Sequence, residues 1–330
     1  MERNERPEPA PGAAPEAGGE RRLCVLAPWP VVSVAIEAAL SDGGDDIVVR
    51  AGGQGVWVAR MAASLGARVT LVGPFGGATG RVAEAMLRDE GIELRAVRVH
   101  GSNGGYVHDR RGGERREVAN MPPARLDRHE ADDLFDAALT EGLRAGTIVL
   151  TGVREGEVID PKLYGLLARD LAANGVTVMA DVAGEVLGSI EGGLDTLKIS
   201  HEELIAAGLA EGEEPEQLRR GIEALGDRAR DVVVSCADKG TLARLGGRFW
   251  IATPPEVTPR DHSGAGDSMT GALAAARVRG LNPADGLRLA TAAGALNVTR
   301  RGRGTGHAGD VDVLAARVAL REAEPGRIEW

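Results

Sequence analysis

Asp261-His-Ser-Gly-Ala-Gly-Asp-Ser268 runs directly into the apolar segment Met269–Arg277, and this junction is the most informative stretch of the chain. Gly264 and Gly266 permit a tight turn in which the N–H groups of Gly264, Ala265 and Gly266 point at one anion. A helix starting there adds the positive end of its dipole at the same place. Such a cradle suits a transferring phosphoryl group, whose charge it neutralises. Asp267 stands at the mouth, where a carboxylate can take the proton of an incoming hydroxyl, help worth about 10²–10⁴ in rate. Taken alone, the octapeptide also reads as a Gly-rich turn with an Asp helix cap.

Outward from this junction, short apolar strands alternate with helices. Leu23–Ala27 and Val31–Glu37 read as strands, Asp42–Asp46 as a turn and Ile47–Arg50 as a further strand. Ala51-Gly-Gly-Gln-Gly55 opens a helix to Leu65, with apolar positions at Val58, Met61, Ala62 and Leu65. Gly66 stops it before the strand Val69–Val72. Helix Arg81–Glu90 and strand Leu94–Val99 follow, then a hairpin over Tyr106–Asn120 that turns at Arg111-Gly-Gly-Glu114. Helix Arg128–Leu139 leads to strand Thr147–Thr151, and helix Lys162–Asn174 to strand Thr177–Asp181. The rhythm continues through strand Thr196–Ile199, helices Glu202–Ala207 and Glu216–Leu225, and strand Asp231–Ser235. A hairpin near Gly246-Gly247 precedes helices Gly266–Gly280 and Pro283–Thr299. Crossovers of this kind predict a mostly parallel central sheet flanked by helices. The hairpin-rich stretches 23–50 and 94–120 break the rhythm and predict a small β-sheet lid on a single domain, 23–330.

Composition agrees with this α/β reading. Hydrophobic residues make up 43% of the 330 residues and aromatics only 3%, so the core is built from Ala, Val, Leu and Ile, as suits parallel strands covered by helices. A net charge of −10 argues against broad binding to nucleic acid or an anionic membrane. One anionic ligand can still bind in a local field of amides and metal. Cys24 and Cys236 lie in apolar runs and read as buried free thiols. Met1–Glu20 is rich in Pro, Gly, Ala and Glu without the apolar core of a signal peptide, so residues 1–22 are expected to be a disordered tail. No apolar stretch reaches the ~20 residues of a membrane helix, and a cytoplasmic location is expected. Arg110-Arg-Gly-Gly-Glu-Arg-Arg116 reads as a solvated hairpin tip.

The octapeptide resembles the C-terminal signature of PfkB-type, ribokinase-like kinases, D-T-x-G-A-G-D-S/A. Ala51-Gly-Gly-Gln-Gly-Val-Trp-Val-Ala-Arg60 is similar to the G-G-K-G-x-N-x-A-R of the 1-phosphofructokinase and tagatose-6-phosphate kinase branch. Leu71-Val-Gly-Pro-Phe-Gly-Gly77, Asp181-Val-Ala-Gly184, Lys198-Ile-Ser-His-Glu-Glu-Leu204 and Val232-Val-Val-Ser-Cys-Ala-Asp-Lys-Gly240 resemble further family motifs, in order, over about residues 23–315. The resemblance implies an ATP-dependent carbohydrate kinase with Asp267 as base and Gly264, Ala265 and Gly266 as anion hole. It places Ser235, Gly240, Ser263 and Asn297 on the ATP side. Glu203 and Ser200 match the family's N-x-x-E, which holds Mg²⁺ through water, with Ser in place of Asn. The loop Arg300–Gly306 implies contact with ATP or a monovalent cation, and the lid implies a homodimer.

The acceptor end departs from the pattern. The family's N-P-x-x-D becomes Trp29-Pro-Val-Val-Ser33; in the glycine motif around Gly52 and Gly53, Lys becomes Gln54 and Asn becomes Trp57. The lid motif T-R-x-N falls on Gly101-Ser-Asn-Gly104, without its Arg. Losing Lys and Arg removes the groups that recognise phosphate. The expectation is therefore an uncharged sugar-like acceptor, other than fructose 6-phosphate, held against Trp29 and Trp57 with Ser33, Gln54 and Ser102 as polar contacts. Two alternatives stand beside it: an ATP-binding sensor that has lost catalysis, and a phosphosugar kinase that recruits Arg50 or Arg60.

Overall fold

The computed structural model describes residues 22–39, 43–152, 158–300, 302–324 and 328–330. The expected tail lies outside them, except for Arg22. The chain opens with β1 (Arg22–Leu26), β2 (Val31–Ala38), β3 (Asp45–Gly52), α1 (Gln54–Ser64), β4 (Arg68–Phe75), α2 (Gly77–Asp89) and β5 (Glu93–Arg98). The hairpin β6 (Gly105–Asp109) and β7 (Arg116–Met121) follows. Next come α3 (Arg128–Ala145), β8 (Thr147–Thr151), α4 (Lys162–Ala173), β9 (Thr177–Asp181), α5 (Gly184–Ser189), β10 (Leu194–Ser200), α6 (His201–Ala206), α7 (Pro215–Ala224) and β11 (Ala229–Ser235). The chain ends with β12 (Thr241–Leu245), β13 (Arg248–Thr253), α8 (Ala265–Val278), α9 (Pro283–Val298), α10 (Ala308–Ala315) and β14 (Ala319–Ala323).

Ten strands form one sheet in the order β14-β13-β12-β11-β10-β9-β8-β1-β4-β5. It is parallel from β5 to β11 and antiparallel beyond. Its strands are apolar on both faces because helices cover both. One core joins the sheet to α1, α2, α8, α9 and α10; the other joins it to α3, α4, α5, α6 and α7. Local chemistry fixes where the helices start. Asp127 and Glu130 form a capping box on α3, and Asn282 with Pro283 starts α9. In register, Thr151 pairs with Asp181, Lys198 with Asp181, and Ser200 with Ser235. Polar residues thus gather at the carboxyl ends of the parallel strands, where sheets of this kind bind ligands.

A second sheet, β3-β2-β6-β7, is the lid. Its bounds are narrower than the sequence pattern suggested. Residues 23–26 and 93–98 belong to the main sheet, because both runs pair in parallel with or beside β4 rather than with lid strands. The two faces of the lid differ sharply. Ser33, Arg50 and Tyr106 share one cross-strand row, and Ala35, Val48 and His108 the next. The opposite face carries the rows Val34, Val49, Val107 and Ile36, Ile47, Asp109. Asn103 fastens lid to core: its Nδ2 donates to the Pro30 and Pro74 carbonyls at 2.8 and 2.7 Å, and its Oδ1 accepts from Gly76 N at 2.8 Å.

Candidate active site

Gly264 takes the cap position of α8 with φ 84°, the left-handed region that glycine adopts freely. No side chain caps this helix. The first-turn N–H groups of Ala265, Gly266 and Asp267 therefore have no partner within the helix and are left to an external acceptor. Asp267 is the third helical residue, so its reading as an ordinary cap fails. At Gly266 a Cβ would lie 2.5 Å from Lys198 Nζ, so a larger residue there would have to displace that ammonium.

Lys198, buried on β10, lies 3.5 Å from Asp181 Oδ1, while Thr270 Oγ1 of α8 donates to Asp181 Oδ2 at 2.6 Å. Burial draws the Lys198 pKa down, but the carboxylates of Asp181, Asp267 and Glu203 outweigh it and leave it raised. Asp267, half-buried, is pushed up to about 7, first by burial and then by the negative field of Asp181; Lys198 and Arg303 offset part of the rise. Asp267 is thus poised to change protonation near neutrality, as a general base requires. The sequence reading gave Lys198 and Asp181 no role. Their signal was available, since the chain has only three lysines, Lys162, Lys198 and Lys239, and Lys198 alone sits inside an apolar strand.

Asp267 lies in an open cleft of about 1230 Å³ between the main sheet and the lid. Trp29, Gly53, Gln54, Trp57, Ser263, Gly264 and Glu203 line it with Asp267, so these expected residues do converge. Gln54 Nε2 donates to the Asp181 carbonyl at 3.2 Å, and the buried Trp29 indole N–H has no partner. Gly52 is buried beside Tyr106, Ser33 and Trp57; Ser33 lines a smaller side cavity instead of the cleft. Ser102 packs on Gly77 at the lid base and does not line the cleft.

The expected cleft without cationic groups is not what the structure shows. Arg303 lies 4.7 Å over the Trp57 ring and lines the cleft with Asp267, so one face of that indole is covered by a guanidinium. Arg115 reaches in from the hairpin tip, 5.5 Å over Tyr106. The basic tip is therefore not solvated throughout. Arg110 bonds Asp261 at 2.6 Å with both side chains largely buried, whereas Arg111 and Arg116 hold Asp109 at the surface. Arg60 is engaged by Glu90 and by the Ala51 and Arg303 carbonyls; Arg50 lines the side cavity.

A family model described as pfkB family carbohydrate kinase matches residues 31–308. The chain belongs to the pfkB family of carbohydrate kinases. It is a phosphotransferase that uses a hydroxyl acceptor. ATP-dependent 6-phosphofructokinase isozyme 2 of Escherichia coli K12 is 29% identical over 262 residues, 77% of this chain and 84% of that one. A 1-phosphofructokinase of Haloferax volcanii is 29% identical over 250 residues, 74% and 78% of the two chains. The structure of Escherichia coli phosphofructokinase-2 in complex with potassium matches with TM-score 0.79 at 25% identity, over 90% of this chain and 98% of that one. Arabidopsis thaliana ribokinase, complexed with ribose and ATP, shares the fold at TM-score 0.68 and 23% identity, over 90% and 99%.

Of the residues expected beside the nucleotide and metal in this pfkB-family kinase, Ser200 and Ser235 stand side by side at the ends of β10 and β11, and Gly240 follows at φ 111°. Ser200 and Glu203 form a capping box on α6: Glu203 Oε2 accepts from Ser200 N and Oγ, both at 2.9 Å. Asn297 is buried, with both ends of its amide hydrogen-bonded. Its Oδ1 accepts from Ser268 Oγ and Gly304 N, and its Nδ2 donates to the Ser263 carbonyl. These bonds tie the loop before α8 to the loop after α9. Among the described residues, no helix is long and apolar enough to cross a membrane.

Proposed function

We propose that this kinase transfers the γ-phosphoryl group of ATP to a hydroxyl of a sugar-type acceptor, with Asp267 as general base. One observation carries the reading: the Asp267 carboxylate stands in the first turn of an uncapped helix, in the cleft and beside the buried Lys198. The free N–H groups at Ala265 and Gly266 would hold the transferring group, and the acceptor would lie between Trp29, Gln54 and Asp267. Ser235, Gly240 and Ser263 would border the nucleotide. Mg²⁺, when bound, supplies charge neutralisation on the phosphates. Glu203 fits an indirect role in holding it, because the capping box uses only one of its two carboxylate oxygens. We further propose that two copies pair through the lid. The support is its outer face, where Ile47 and Val49 are 65% and 40% exposed beside each other on β3.

The test is ADP release from ATP and Mg²⁺ with a panel of sugars and sugar phosphates. Release should need an acceptor and should fall at least a hundredfold in Asp267→Asn. Acceptor-dependent release that survives in that variant refutes the assignment of the base.

A further inference from the structure

A second cavity opens off the acceptor cleft, enclosed between the inner face of the lid and the loop after α9. It measures about 50 Å³, room for several waters or one tetrahedral oxyanion. Arg50, Arg60, Arg110, Arg115 and Arg303 all line it, with Glu37 the one carboxylate on its wall among the described residues. Trp57, Tyr106, His108, Arg115 and Arg303 line both cavity and cleft, so the two spaces adjoin.

Five guanidiniums around so small a space need an account. Arg60 is taken up by Glu90, and Arg110 by Asp261. Arg303 and Arg115 are instead held by aromatic faces, Trp57 and Tyr106, which fix a guanidinium while leaving its N–H edge unspent. Two donors here, Arg303 Nη2 and Arg110 Nε, are buried with no hydrogen-bond partner. A buried guanidinium N–H without an acceptor is costly and rare unless a ligand completes it. The local field says the same. His108 is pushed down to about 4, first by burial and then by Arg115, Arg303 and Arg110, with Asp261 opposing. Arg303 is drawn below the usual guanidinium range, first by burial, with Arg110 adding to it and Tyr106, Asp261 and Asp267 opposing.

We propose that this cavity is an oxyanion subsite in which Arg303, Arg115 and Arg110 hold the phosphate of a phosphorylated acceptor whose hydroxyl is presented to Asp267. The proposal rests on the cleft being the acceptor site. It assigns the phosphate contact to the lid tip and the loop after α9, none of which lies in the glycine motif or at Ser102. Arg303 and Asp267 line the same cleft, so one small molecule there can face both the base and the subsite.

The experiment is a titration of the nucleotide-free protein with inorganic phosphate in a phosphate-free buffer, read by tryptophan fluorescence, since Arg303 sits on Trp57. Wild type should show saturable binding. Arg303→Gln and Arg115→Gln should each weaken it roughly 10- to 100-fold, whereas Arg128→Gln, at an exposed site on α3, should not. Circular dichroism checks that each variant is folded, and Arg115, at the lid surface, gives a second route should Arg303→Gln fail to fold. Equal phosphate affinity in wild type and both variants overturns the proposal, as does no saturable binding in wild type. In turnover, inorganic phosphate should compete with the phosphorylated acceptor; inhibition or activation that persists at saturating acceptor would instead mark a free-phosphate effector and overturn the acceptor assignment. Binding is measured without ATP and should persist in Asp267→Asn, so failure of the kinase reading and failure of the subsite give different results.

Discussion

Replacing Asp267 by Asn tests the chemistry at its centre, and the structure fixes the expected pH dependence as well as the loss. A carboxylate displaced from 3.8 to about 7 has a charged form disfavoured by roughly 4 kcal/mol. With that pKa, about a tenth of the free enzyme carries the base at pH 6, half at pH 7 and about nine-tenths at pH 8. The profile of kcat/KM, which reports the free enzyme, should rise about tenfold per unit below pH 7 and flatten above pH 8. Asp267→Asn should lose about 10²–10⁴ in rate and lose this rise. Stability should move the other way. The folded-state pKa lies above the unfolded value, so between about pH 4 and 7 the native protein holds a proton that the unfolded chain has released. Wild-type stability falls across that window and is level above it. The Asn variant escapes this loss, so its melting temperature should exceed that of wild type at pH 8 and match it near pH 4. A coupled ADP assay from pH 5.5 to 9, with thermal unfolding at both ends, measures both effects. A flat wild-type profile across pH 6–8, or an Asn variant less stable than wild type at pH 8, refutes the reasoning.

Gly266→Ala should fold but lose activity at least a hundredfold, because its Cβ would lie 2.5 Å from Lys198 Nζ and displace the ammonium beside the anion cradle; retained turnover in the ADP assay counts against the cradle. Asn103→Ala should cost about 2–4 kcal/mol in urea unfolding, since it strands the Pro30 and Pro74 carbonyls and Gly76 N in a buried site; a change below 1 kcal/mol would show that water takes over those bonds. Ile47→Asp should shift a dimer towards monomer in sedimentation velocity, because it replaces the most exposed aliphatic of the lid's outer face by a charge; an unchanged dimer removes the lid as the contact. Cys24 and Cys236 should not react with an aromatic disulfide reagent until the protein unfolds, as both are buried and burial pushes the Cys236 thiol up to about 12; rapid native labelling would contradict the packing of β1 or β11.

The parts of this protein legible in the sequence are those whose chemistry is local. Alternating strands and helices gave the parallel sheet, because each crossover unit is written in one contiguous segment. The turn at Gly264–Asp267 was legible for the same reason: the glycine at positive φ, the uncapped helix start and the carboxylate lie within four residues. Where the strand pattern was right but its destination wrong, as for residues 23–26 and 93–98, the choice between two sheets depends on partners far away in sequence. The acceptor end failed for that reason too. Its motif positions lost Lys and Arg, and a residue-by-residue comparison sees only the loss. The structure supplies cations from two places that no spacing connects, the hairpin tip at Arg110 and Arg115 and the loop at Arg303, brought together by the docking of lid on core. Arg110 reaches Asp261 across 151 positions, and Arg303, in the loop after α9, reaches Trp57 on α1. A guanidinium at a solvent-facing tip and one beside a buried carboxylate read alike in sequence. What separates them is the burial around Arg303 Nη2 and Arg110 Nε, two donors that water no longer satisfies. The cations beside the cleft are thus placed by tertiary packing, and the glycine motif alone could not reveal them.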